Sequence, residues 1–412
     1  LGLGITFEYI MGISMGFYNI PIVVSFLAAL LVACLQNKKI SFDKKLEIMG
    51  QGIGDKNIVT MILIFLAAGI FVGVVGRSSA ESVAYFLLSV IPAKFAVCVL
   101  FVVSCFVSTA MGTSVGTITL ITPIAVAVST VSGISMPLCI GSIMGGAMFG
   151  DNLSFISDTT IAATRTQGCA MKDKFKVNFR LVLPAALCVL GYYIYRGFGM
   201  SVPHEAYTIE WVKVLPYLVV LATAFMGFNV AVVLLLGILT SGIVGISTGS
   251  IDMFDWFGSL GTGMSGMGEL IIITLMAGGM LELIRFNGGV DYIIHALTRK
   301  INGKKGAEMC IAALVSIANI CTANNTIAII TVGPLANDIA TKYGVDKRKS
   351  ASILDTFSCV VQGFIPYGAQ MLMAGGLAGI SQIAIMRYLY YPVTMGLFAI
   401  LAIALRFPRK YS

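Results

Sequence analysis

Two aspartates stand in the stretch GAMFGDNLSFISDTTIAATRTQG, residues 146–168, within an otherwise strongly apolar chain. Asp151, Ser154 and Asp158 fall at i, i+3 and i+7, one face of a helix. In a straight helix the two carboxylates would stand roughly 10 Å apart, too far to share one small ion. Gly145, Gly146 and Gly150 ease unwinding and NLSFIS is a weak helix former, so a break between the aspartates is expected. Such a break turns carbonyls and hydroxyls toward a common point, with Ser154, Ser157, Thr159 and Thr160 adding oxygens. Hard cations take that kind of shell, and no soft ligand lies nearby. A carboxylate inside a membrane is costly and marks an ion pathway or a proton relay. A close pair holds a proton when empty and releases it when a cation binds. Asp151 and Asp158 are thus candidate Na⁺ ligands, and one site that takes Na⁺ or H⁺ but not both exchanges them by competition. Helix capping is the rival role for either, since SDTT reads as a cap followed by a first turn.

The elements that must position these residues are membrane helices. The chain is 58% hydrophobic and 11% charged, its mean hydropathy is +0.93, and apolar runs long enough to cross a bilayer recur from end to end. These are solid runs, not the short alternating segments of a porin-like barrel. The nine cysteines have no paired spacing and read as small buried hydrophobes. The net charge of +8 comes from residues between spans, which positive-inside topology explains better than nucleic acid does. Leu1 is not an initiator, so a trimmed N-terminus is expected, and no signal peptide is visible.

Basic clusters at 37–56, 172–180 and 406–410 mark the cytoplasmic side. Two more, at 298–305 and 342–349, flank a single apolar segment, which one crossing cannot satisfy. That segment, 307–341, would be about 50 Å long as one helix, and CTANNT (321–326) interrupts it. A re-entrant hairpin is the economical reading. Residues 94–130 look like its partner, with the tip STAMGTSVGT (108–117) between apolar arms; the tips align as Thr109, Ala110 and Thr113 against Thr322, Ala323 and Thr326. The upstream hairpin has nearly uncharged flanks, so it is expected to open outward while the downstream one opens inward. LSFIS (153–157) aligns in turn with QGFIP (362–366).

The expected architecture is all-α, with about ten transmembrane helices plus two re-entrant hairpins in two inverted-topology repeats. Spans fall at 1–16, 17–36, 58–76, 138–167, 181–196, 214–227, 229–246, 268–284, 351–376 and 383–405. Residues 1–196 form one repeat, with hairpin 94–130 and broken helix 138–167. An external linker, 197–212, leads to the second repeat, 213–412, with hairpin 307–341 and broken helix 351–376. Inverted repeats place substrate sites near the midplane, between discontinuous helices.

The hairpin tips would therefore add Thr109, Thr113, Asn324, Asn325 and Thr326 to the ion site, unless their polar groups only close the turns. Asp355 follows KRKSASIL closely, near the expected cytoplasmic mouth, and is either a relay or a surface group. Glu8 is a candidate proton carrier. Arg165 either snorkels to the interface or clamps a substrate carboxylate. Glu282 and Arg285, at i and i+3, read as a structural ion pair. His204 and His295 are given no role.

GAMFGDNLSFISDTTI resembles the signature of the NhaC-type Na⁺/H⁺ antiporters, approximately G-A-x-F-G-D-x-x-S-P-x-S-D-T-T. The chain keeps Gly146, Ala147, Phe149, Gly150, Asp151, Ser154, Ser157, Asp158, Thr159 and Thr160 and departs at Phe155, where members usually carry proline. The hairpins are also similar to those of the wider ion-transporter superfamily, which works by elevator-like displacement of a transport domain. The resemblance implies Na⁺/H⁺ exchange across a bacterial inner membrane, often by a homodimer, with transported Na⁺ and H⁺ and no cofactor. Relatives of that family also carry malate, lactate or amino acids, so a small organic acid or amino acid is the alternative cargo, to be read at Arg165 and Gln167. Besides lipid and small ions no nucleic-acid partner is expected.

An intramembrane aspartyl protease is the rival from another class. Its dyad would need facing helices, whereas these aspartates share one segment, and neither HExxH nor a Ser/His pair is present. A passive channel fits broken helices with buried acids less well than alternating access does.

Overall fold

A computed structural model describes residues 22–198, 209–289, 292, 303–408 and 411. Glu8, His204, His295, the span at 1–16 and most of the linker 197–212 lie outside the described residues. Among the described residues every regular element is helical. Seven helices there are long and apolar enough to cross a membrane, including both arms of the upstream hairpin. The protein is a multi-pass helical membrane protein.

In chain order the elements are α1 (Ile22–Leu35), α2 (Phe42–Ile53), α3 (Lys56–Val90), a short 3₁₀ turn (Ala93–Phe95), α4 (Ala96–Met111), α5 (Ser114–Ser132), α6 (Met136–Leu153), α7 (Asp158–Gln167) and α8 (Met171–Phe198). They continue as α9 (Trp211–Phe225), α10 (Val230–Ser247), α11 (Met253–Ser265), α12 (Gly268–Phe286), α13 (Gly303–Thr322), α14 (Asn325–Tyr343), α15 (Lys347–Phe364), α16 (Ala369–Ala378), α17 (Gln382–Met386) and α18 (Tyr390–Ala404). The expected span at 58–76 is only the first part of α3. Gly76 takes φ 67°, a left-handed conformation that bends the chain there, and helix resumes to Val90.

Four local features shape the centre. Helices α4 and α5 meet at Gly112, whose φ of 69° ends the first, while Thr113 caps the second by accepting from the Gly116 amide. Helices α13 and α14 meet in the same way at Ala323, φ 49°, and Asn324, whose side chain accepts from the Ile327 amide. The turn geometry thus pairs Gly112-Thr113-Ser114 with Ala323-Asn324-Asn325. This differs from the Thr-Ala alignment, because the left-handed residue and the cap fix the turn whatever the flanking letters are.

The other two features are breaks in helices. The chain leaves the helix between α6 and α7, where Ser154 (ψ 142°) and Ser157 (ψ 138°) are extended and flank a bend at 155–156. It is interrupted again between α15 and α16, where Ile365 (ψ 113°) and Gly368 (ψ 152°) are extended and flank a turn closed by the Gly368 amide donating to the Ile365 carbonyl at 3.1 Å. Pro366 forces Ile365 out of the helical region at the second break. The first break, Ser154-Phe155-Ile156-Ser157, forms without a proline, with Ser154 Oγ accepting from the Ile156 amide.

Candidate functional site

Helix α6 can approach α4 closely because its contact face is glycine. A Cβ at Gly150 would overlap the Ser108 Cβ and the Thr109 amide nitrogen, and Ser108 Oγ donates to the Ala147 carbonyl at 2.7 Å. This contact carries Asp151 inward to the hairpin tip. Its carboxylate is buried and is met from three elements. Ser157 Oγ, in the break, donates to Oδ1 at 2.6 Å. Ser114 Oγ and Asn325 Nδ2, the first residues of α5 and α14, donate to Oδ2 at 2.9 and 3.2 Å.

A second ring of neutral polar groups backs the first. Ser157 and Thr159 share a hydroxyl contact of 2.8 Å, and Thr159 Oγ1 reaches the Asp151 carbonyl at 3.4 Å. Gln370 Nε2 donates to Ser114 Oγ at 3.0 Å, and Gln362 Nε2 bridges Gln370 Oε1 (2.6 Å) and the Ala323 carbonyl (3.0 Å). The second helix break thereby reaches the same carboxylate. These groups border a cavity of about 120 Å³ that contains Asp151, Asp158, Thr113, Asn324, Asn325 and Thr326 in its wall.

The sequence candidates divide around this cavity. Asp151, Ser157, Thr159 and Asn325 form its hydrogen-bonded centre, while Thr113 and Asn324 face it and also cap their helices. Asp158 lies in the wall but is exposed, as the first residue of α7, where a negative charge is favoured. Ser154 is buried and accepts from the Ile156 amide, so it shapes the break. The Thr109 hydroxyl donates to the Cys105 carbonyl of its own helix at 2.7 Å. Arg165 is exposed in the last turn of α7. Gln167 is buried, donating to the Gly333 carbonyl and accepting from Ser350.

Asp355 stands deep in the protein, fully buried, away from any surface mouth. It pairs with Lys174, also buried. Asn152 and Asn178 donate to its Oδ2 at 3.1 and 3.0 Å. The Lys174 ammonium also donates to the Asn152 carbonyl at 2.7 Å and to Thr160 Oγ1 at 2.8 Å, tying the end of α6 to the start of α7. Sequence reading missed Lys174, Asn152, Asn178, Ser114, Gln362 and Gln370. A lysine in the cluster 172–180 reads as a surface charge until α15 is placed against it. The one available signal was the asparagine adjoining Asp151.

Glu282 and Arg285 form the expected ion pair, at 3.6 Å, and Arg285 Nη2 also reaches Thr331 Oγ1 at 3.2 Å. The pair borders a smaller cavity of about 40 Å³ that shares Ala323 and Asn324 with the first. Outside the membrane helices, Asp346 caps α15 and is clasped by Arg348 at 2.6 Å. That guanidinium holds its carboxyl below the usual carboxylate range.

Comparison with known proteins matches residues 6–198 and 206–408 to the Na⁺/H⁺ antiporter family. The chain is 25% identical to the Na(+)/H(+) antiporter NhaC of Alkalihalophilus pseudofirmus over 378 residues, 83% of this chain and 80% of that one. It is 25% identical to the Na(+)/H(+) antiporter NhaC of Bacillus subtilis, over 82% of this chain and 83% of that one. The malate-2H(+)/Na(+)-lactate antiporter of Bacillus subtilis is 20% identical, over 91% of this chain and 87% of its own.

Proposed function

Since the chain belongs to the Na⁺/H⁺ antiporter family, we propose that it is a secondary transporter exchanging Na⁺ or Li⁺ for H⁺ at Asp151. The observation that carries this reading is the buried Asp151 carboxylate, held by hydroxyl and amide donors from three elements beside a polar cavity. Those donors are neutral. Ser114 and Ser157 can keep their protons on the carboxylate and still present lone pairs to an ion, and Asn325 and Thr159 supply further oxygens. A proton and a hard cation then compete for one carboxylate, which couples their movements. Asp158, exposed in the same wall, supplies a second carboxylate to an arriving cation.

The reading includes two inverted repeats, 1–196 and 213–412, with hairpins that present Ser114 and Asn325 from opposite sides. Alternating access by elevator-like displacement follows from that arrangement, in a homodimer of the bacterial inner membrane with a cytoplasmic C-terminus. No chemical step on a substrate is involved; the protein is a transporter.

A second reading, coupled transport of a small carboxylate or amino acid, draws on the Glu282–Arg285 pair beside the cavity that adjoins Asn324. Acid-loaded proteoliposomes with a pH-sensitive dye separate the two. Na⁺ alone should drive proton efflux, and Asp151→Asn, while remaining folded, should abolish it. Silence with Na⁺ alone, broken by a carboxylate or amino acid, would replace the first reading with the second. Normal exchange by Asp151→Asn would remove the site assignment from both.

A further inference from the structure

A cavity of about 210 Å³ lies between the later part of α3, the α4–α5 hairpin and α9. Its lining is aliphatic or aromatic throughout, with Leu87, Leu100, Val103, Ile124 and Leu221 among the wall residues. Native interiors leave few voids larger than a water molecule. An apolar cavity of roughly 150 Å³ stays dry and takes up a hydrocarbon when one is offered. A larger one in a membrane protein calls for an apolar occupant.

Two further features identify that occupant. Val90 and Leu218 belong to the cavity wall and are also strongly exposed, at 65% and 48%. The cavity therefore opens on the outer surface of the helices, where acyl chains run. At one end, the turn joining the wall at Ile91 to the wall at Val99 carries Lys94. Its ammonium lies over the rings of Phe95 and Phe198, at 5.3 and 5.1 Å from their centroids. Trp211 packs edge-on against Phe86, a cavity residue, at 5.4 Å. Lysine and tryptophan together mark the level of lipid headgroups.

We propose that this cavity binds one anionic phospholipid, with an acyl chain inside it and the phosphate at Lys94. The chain would lie against the hairpin whose tip presents Ser114 to Asp151, so the bound lipid braces one wall of the ion site. The binding itself does not depend on which ion or solute the protein carries.

Native mass spectrometry of delipidated protein in detergent, titrated with dioleoyl phosphatidylglycerol or dioleoyl phosphatidylcholine, tests it. Wild type should bind one phosphatidylglycerol tightly and phosphatidylcholine more weakly. Val99→Phe and Leu221→Phe fill the cavity from opposite walls, and either should weaken that binding at least tenfold in protein that stays monodisperse. Lys94→Gln should weaken phosphatidylglycerol about fivefold, the effect of one basic side chain at an anionic surface, and leave phosphatidylcholine unchanged. Equal binding of the two lipids by wild type overturns the headgroup assignment. Wild-type affinity in a filled variant overturns the cavity assignment. If both filled variants misfold, the lipid comparison on wild type and Lys94→Gln still decides.

Discussion

The Lys174–Asp355 pair offers a quantitative test of how the centre is held together. Both side chains are buried, at 1% and 0% exposure, so solvent screening does not weaken their interaction. Removing one partner of a buried pair costs about 3–5 kcal/mol, mostly because the other charge is stranded. Lys174→Met leaves Asp355 with two amide donors, Asn152 and Asn178, and should cost about 3 kcal/mol. Asp355→Asn leaves the ammonium with neutral oxygens alone, those of Asn152, Thr160 and the new amide, and no counter-charge, and should cost about 5 kcal/mol. The double variant strands no charge. Its loss should fall short of the sum of the singles by about 3 kcal/mol, the upper end for groups in contact. Chemical unfolding in mixed micelles, followed by tryptophan fluorescence, gives all four values. Additive losses would refute the pairing, and a stable Asp355→Asn would refute its burial.

Three other outcomes follow from the geometry. Ser157→Ala removes the donor on Asp151 Oδ1 and should raise the KM for Na⁺ roughly tenfold, about the effect of one hydrogen bond to a charged group; an unchanged KM in vesicles would count against the site. Gly150→Ala should force α6 off α4, lowering stability by about 1–3 kcal/mol and slowing exchange, read by unfolding and transport of the same preparation. Asp346→Ala should cost about 1 kcal/mol at pH 7, as a lost cap and a half-exposed ion pair. Because Arg348 lowers the folded pKa of Asp346, that stability is present above the unfolded pKa and is lost as pH falls through the folded one. The difference from wild type should therefore shrink in acid below the usual carboxylate range, to the part a protonated side chain keeps by accepting from the Arg348 amide, and a difference unchanged there would refute the ion-pair origin.

What the sequence made legible was local. The break after Leu153 is written in the glycines before it and in NLSFIS, a weak helix former, and Asp151 was visible because a carboxylate there has no cheap alternative. The tip residues were visible as polar letters between apolar arms. Which of them would touch Asp151 was not, because a left-handed residue, Gly112 or Ala323, sets each turn's register. Lys174 and Asp355 are separated by nearly half of the chain, and each follows basic residues that resemble an interface. Their pairing depends on how α8 and α15 pack, and periodicity carries no record of that. The helix that resumes beyond Gly76 was missed because the polar run RSSAES (77–82) ends the apolar pattern that the span 58–76 followed.

Asp151 and Asp355 stand on neighbouring strata of one buried network, linked through Asn152, yet they are held in different ways. The partners of Asp355 include a full positive charge, and that charge is itself fixed by the ends of α6 and α7. An ion arriving there would have to displace an ammonium and leave it uncompensated. The partners of Asp151 are two hydroxyls and an amide, supported by the N-terminal ends of α5 and α14, whose fractional positive charge favours an anion without occupying its place. Hydroxyls turn at little cost, and they coordinate a cation as readily as they donate to a carboxylate. The locked pair keeps the broken helices in register. In the proposed exchange, the unlocked carboxylate beside the cavity is the one whose partner would change from a proton to an ion and back.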